Sequence, residues 1–179
     1  MSDAQRGQKA KIATKLFDSE YRAYNFIDTE LRQQGWDVRN PARYPSGQVY
    51  TQNECLLHPG IKKALGLERP ENVVKITESI IWVIEAKRER NQLGLAVSEA
   101  EGYAKKINQE KILKALFISG VAGDQQDGYL VETSFLSDDQ FVPITINGKP
   151  ITSFLSPEIA RIVLSSGPEI QDVPIDETL

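Results

Sequence analysis

Apolar residues return at helical spacing in two stretches of the chain, run together in short stretches elsewhere, and alternate over residues 129–136. Phe17, Tyr21, Tyr24, Ile27 and Leu31 fall three or four apart, the period of one helix face. A helix is therefore predicted over residues 17–34, with Gly35 as its stop. Trp36-Asp37-Val38 begins an extended segment, and Pro41, Pro45 and Gly47 mark a loop. Residues 53–66 read as partly helical, interrupted by His58-Pro59-Gly60. ENVVKI (71–76) and IIWVIEA (80–86) read as two strands. Leu93, Ala96, Ala100, Tyr103 and Ile107 line one side of a second helix over 93–110. Strands follow at 114–121, 129–136 and 141–146, with Asn147-Gly148 as a tight turn. Ser156 caps a last helix that has Pro157 at its first position and runs to about residue 165. This order predicts a mixed α/β domain over residues 1–166, with one central sheet flanked by helices. Residues 167–179, polar and proline-bearing, read as a tail or linker.

The end of the strand at 80–86 carries the candidate chemistry. Five apolar residues run into Glu85-Ala86-Lys87. Side chains two apart share a strand face, so Glu85 and Lys87 point the same way. If 71–76 pairs antiparallel with this strand through the loop Thr77-Glu78-Ser79, Ile76 faces Ile80 and Glu71 faces Glu85. Directly opposed side chains sit roughly 5 Å apart, and like charges there repel. A loop of even length would send Glu71 to the other face. The repulsion becomes useful around a divalent cation, because Mg²⁺ takes carboxylate oxygens. Two carboxylates, a cation and a lysine suit phosphodiester hydrolysis. The cation offsets phosphate charge and acidifies a bound water. Lys87 orients or deprotonates that water, or offsets the growing charge. The plain alternative is an exposed ion pair at a strand end.

Composition narrows the setting. The chain has 179 residues, 40% apolar and 26% charged, in the range of a globular protein. No apolar run approaches the ~20 residues of a membrane helix, and the start MSDAQRGQKAK has no signal-peptide character. A cytoplasmic location is expected, with no membrane partner. One cysteine, Cys55, excludes an internal disulfide and a cysteine zinc cluster. The one histidine, His58, reads as a turn residue. A net charge of -4 argues against a free-standing protein that coats DNA nonspecifically. It leaves room for a nucleic-acid enzyme whose cations offset its carboxylates.

Pro70-Glu71, thirteen intervening residues and Glu85-Ala86-Lys87 resemble the signature of the PD-(D/E)XK nuclease superfamily. SEYRAYNFIDTELRQQGWDV resembles the opening helix and strand of type I and type IIG restriction enzyme nuclease domains. WVIEAKRE followed by AVSEAEGYAKKIN is similar to the strand and helix that come next there. The likeness covers residues from about 19 to 120. It implies a restriction-endonuclease-like fold and Mg²⁺-dependent cleavage of double-stranded DNA, with Mn²⁺ as a substitute. Glu71 stands at the first acid, where aspartate is commoner, with Glu78 in the turn as a fallback. Glu85 matches the second acid, Lys87 the catalytic lysine, and the Ala86 carbonyl a further metal ligand.

By the same resemblance Glu20 matches an acidic residue of the first helix. Its carboxylate either faces inward with the stripe of Tyr24, Ile27 and Leu31 or stands at the margin of that stripe in water. Glu99 and Tyr103 match a Gln-x-x-x-Tyr pattern, with glutamate in place of glutamine. They support the site or touch DNA, or Tyr103 belongs to the core. Arg88, Arg90, Lys105 and Lys106 are either phosphate contacts or a solvated face. The family implies a methyltransferase and specificity segment or subunit as partner, and the chain has room for neither. The competing expectations are a catalytically inactive nuclease-fold module for DNA binding or interaction, and a nuclease acting on branched DNA or RNA.

Overall fold

The computed structural model describes residues 24–171. Its centre is the strand at Ile80–Lys87, apolar on both faces until Glu85. Trp82 and Ile84 face one side, Ile81 and Val83 the other, and all four are at most 2% exposed. A strand covered on both faces reads as a continuous apolar run rather than an alternation.

Taken in chain order, helix α1 (24–34) leads to β1 (Val49–Thr51), and α2 (Pro59–Leu65) follows. Strands β2 (Asn72–Lys75) and β3 (Ile80–Lys87) form a hairpin. Helix α3 (Leu93–Gln109) then crosses to β4 (Lys114–Asp124). Strands β5 (Gly128–Ser137) and β6 (Gln140–Pro143) complete a six-stranded sheet in the order β1-β2-β3-β4-β5-β6. Only β3 and β4 run parallel within it; the other pairs are antiparallel. A parallel pair needs a crossover, which α3 supplies. Strands β7 (Thr145–Ile146), β8 (Lys149–Pro150) and β9 (Glu169–Ile170) form a second small sheet, and α4 (Pro157–Ser166) lies between β8 and β9 in sequence. The fold is mixed α/β, as expected. Among the described residues no helix is long and apolar enough to cross a membrane.

Each sheet face carries its own core. Ile27 and Leu31 of α1 and Ala160 and Val163 of α4 pack with Val74, Trp82, Ile84 and Phe117. On the other face Ile61 and Leu65 of α2 and Ala100, Ala104 and Ile107 of α3 pack with Val73, Ile81, Val83 and Ile118. One buried polar chain crosses the first face. The Trp82 indole donates to Ser119 Oγ at 2.9 Å, and Ser119 and Thr133 hydroxyls are 2.7 Å apart. Thr133 donates its one hydroxyl hydrogen to the Ser153 carbonyl at 3.3 Å, which leaves Ser119 as donor to Thr133.

Several sequence expectations change in detail. Tyr24, counted on the apolar stripe of the first helix, is 39% exposed. The extended segment at 36–38 is no strand of the sheet, although the carbonyls of Asp37 within it and Arg39 just beyond it accept hydrogen bonds from the Gln48 and Val49 N–H groups at the β1 edge. The expected strand 141–146 is divided between the two sheets. Its pairing with β5 ends at Pro143 and Ser134, and one residue on the Ile144 N–H still donates to the Thr133 carbonyl at 3.1 Å. Asn147 and Gly148 both have positive φ, 52° and 79°, and turn β7 into β8. The segment expected as a tail from Gly167 begins inside the fold, because Glu169–Ile170 pairs in parallel with β7.

Candidate functional site

Hairpin register fixes where the two acids stand. Asn72 pairs with Ile84, Val73 with Val83, Val74 with Trp82 and Lys75 with Ile81. One step further along the same register sets Glu71 against Glu85. At the other end the Ile76 N–H donates to the Ile80 carbonyl at 2.9 Å, closing the three-residue loop expected from the sequence. Glu71, Glu85 and Lys87 therefore share the face on which Val73 and Val83 pack against α2 and α3. This end of β3 is also its carboxyl end beside the parallel β4, the edge at which open α/β sheets tend to bind ligands.

Helix α3 closes over that edge. Its buried side is a run of small residues, Ala96, Ala100 and Ala104, that lets the helix axis approach the sheet. Approach is close at Gly120 of β4, the partner of Glu85 in the ladder. A Cβ on Gly120 would lie 2.6 Å from Val97 Cγ2 and 2.7 Å from Val97 N. The close packing brings Glu99 and Tyr103, one helical turn apart, to the acids. Lys87 Nζ lies 2.8 Å from Glu99 Oε2.

Electrostatics set Glu85 apart. It is 7% exposed, the only acidic residue among the buried polar groups described. Burial pushes its carboxyl up to about 7. The Ala86 N–H, donating to Oε1 at 3.0 Å, opposes the rise, as does the Lys87 ammonium, while the charges of Glu71 and Glu99 add to it. Tyr103 feels the same field. Burial, then the Glu85 and Glu99 charges, push its phenol up to about 12, so it remains a neutral hydroxyl. The arrangement resembles a cation site in its chemistry: hard oxygen donors, mutually repelling, beside a buried acid. The Glu71 and Glu85 carboxylates with the Ala86 carbonyl fit Mg²⁺ or Mn²⁺ by donor type. Among the described residues, however, no three Asp, Glu, His or Cys side chains converge as a preformed metal site. The carboxylate of Glu99 is engaged by Lys87.

The remaining expected residues separate. Glu20 lies outside the described residues. Glu78, the fallback ligand, is at the opposite end of the hairpin, paired with Lys75 Nζ at 2.8 Å, and this removes it from the site. Lys105 pairs with Glu101 at 3.2 Å and Lys106 with Glu68 at 2.5 Å, a solvated face of α3. Arg90 lies near Gly123 of β4, at the carboxyl end of the sheet. His58, read as a turn residue, is the N-cap of α2, its Nδ1 accepting from the Gly60 N–H at 3.0 Å. The sequence reading missed two features: the Lys87–Glu99 ion pair and the close approach at Gly120. A glutamate four residues before a tyrosine was visible, but its contact with a lysine on another element follows only from the depth of the helix. No protein-family model, no curated protein and no solved structure matches the chain.

Proposed function

We propose that this chain is a Mg²⁺-dependent endonuclease domain that hydrolyses phosphodiester bonds of double-stranded DNA, in the manner of a restriction-modification nuclease. The observation that carries the reading is the register that sets Glu71 against Glu85 with Lys87 on the same face. In this reading a bound cation supplies charge neutralisation at the phosphate and a more acidic water. Glu71, Glu85 and the Ala86 carbonyl hold that cation. Lys87 lies beside the reacting phosphate and offsets the charge that develops on it. Tyr103, neutral at physiological pH, stands at the site as a hydroxyl with a hydrogen to donate. The sequence choice of the enzyme belongs to a methyltransferase and specificity segment or subunit.

A second reading is a non-catalytic module of the same fold, and one observation favours it: the lack of a preformed three-ligand site among the described residues. Plasmid nicking with Mg²⁺ or Mn²⁺, run beside calorimetric metal titration, separates the two. The nuclease reading expects metal uptake and nicked plasmid, both lost in Glu85→Ala. A wild type that neither takes up metal nor cuts DNA, even with its recognition partner supplied, favours the module.

A further inference from the structure

We infer that Glu99 is a positioning residue that keeps the Lys87 ammonium off Glu85, so that the buried carboxylate stays open to a divalent cation. The inference deepens the nuclease reading and rests on it for the role of Glu85.

Lys87 has carboxylates on more than one side. Glu85 and Glu71 share its sheet face, and Glu99 comes from α3 with Tyr103 one turn beyond; opposite Lys87 on β4 stands only Ala122. An ion pair is stronger where water is scarcer. Glu85, at 7% exposed, is the drier acid. Lys87 is nevertheless held by Glu99 at 2.8 Å, where the two side chains are 27% and 37% exposed. A pair that open adds little to stability, so its value lies in where it leaves the lysine. The lysine stem is flexible. With Glu99 made neutral, the ammonium is free to turn to Glu85, on the same face two residues back. There it would occupy the oxygens a cation needs. The glutamate at this position, where the resembled pattern has glutamine, then acts as a counter-ion that holds the lysine aside.

The test is a double-mutant cycle on the whole chain, read by calorimetric titration with Mn²⁺ at one fixed pH. Glu99→Gln is expected to weaken Mn²⁺ binding about tenfold, within the coupling range of contacting charged residues. Adding Lys87→Met to it should restore the affinity of Lys87→Met alone, because no ammonium remains to close on Glu85. If Glu99→Gln costs the same factor with and without Lys87, Glu99 acts only through its charge and the inference fails. A crystal structure of Glu99→Gln gives a readout free of metal: Lys87 Nζ on Glu85 supports it, and Lys87 Nζ still turned away overturns it. A coupled cycle, with plasmid left intact by wild type even when its recognition partner is supplied, refutes the nuclease reading and keeps this one. Wild type that cuts DNA with an additive cycle does the reverse, and wild type that takes up no Mn²⁺ overturns both.

Discussion

Glu85→Gln, measured without metal, is expected to raise stability at alkaline pH and leave it almost unchanged at acid pH. The amide keeps the oxygen that accepts the Ala86 N–H and removes the charge. In the folded protein the Glu85 carboxyl is pushed from 4.5 to about 7, first by burial. A raised value means that the folded state holds the proton more tightly than the unfolded chain. The resulting stability is fully present below 4.5 and is lost as pH rises through about 7. The gap corresponds to about 3 kcal/mol, and the 7% exposure leaves little solvent to screen it. For a chain of this size that is about 6 to 12 °C in Tm. The assay is calorimetric melting of both proteins in EDTA from pH 5 to 8.5. The Tm difference between variant and wild type should open as pH climbs from 5 past 7. His58, lowered by burial, acts in the other direction, losing stability as pH falls below its ordinary value; it is common to both proteins and cancels. Mn²⁺ at pH 8 should then restore the wild type and not the variant. A Tm difference that is flat across the range would refute the argument that Glu85 is a buried acid held against its charge.

Other expectations are simpler to state. Lys87→Ala should lower DNA cleavage by about 10²- to 10³-fold with the melting temperature and Mn²⁺ uptake retained, and equal cleavage by the two proteins would remove the lysine from the reaction. Ser119→Ala leaves the Trp82 indole and the Thr133 hydroxyl without their shared partner; urea unfolding should show a loss of about 1 to 3 kcal/mol. Gly120→Ala puts a methyl against the backbone of α3 at Val97. It should cost about 1 to 3 kcal/mol and, by lifting the helix, weaken Mn²⁺ binding in parallel with Glu99→Gln.

The hairpin was legible because parity decides it. A three-residue loop admits only one assignment of faces, and the apolar run at 80–84 specifies which residues are buried. Helices 93–110 and 156–165 were legible from period and capping. What escaped was short or depended on distant elements. Strands β1, β8 and β9 are two or three residues long, too short to show an alternation. At the site, the two acids and the lysine lie on one hairpin, so local geometry sufficed. The Lys87–Glu99 pair depends on how deeply α3 sits, which is set by Gly120 on a third element. A glycine inside a strand signals close approach, but nothing along the chain says what approaches. Tyr103, ambiguous between core and site in the sequence, is part of both: it packs against the α2–α3 core and responds to the Glu85 charge.

The two tryptophans of the chain also decide how the protein can be watched. Trp36 and Trp82 stand 5.9 Å apart, tilted at 54°, in the core beneath α1 and α4. Rings that close and that buried couple electronically and give a strong near-ultraviolet circular dichroism. They lie on the sheet face opposite Glu85 and Lys87, with the thickness of the backbone between. Their signal therefore reports the integrity of the α1–α4 core and is insensitive to events at the carboxylates. Filling the site or emptying it should pass unseen in tryptophan emission, while loss of the fold should not. Tyr103, at the acids themselves, is the native chromophore placed to register occupancy.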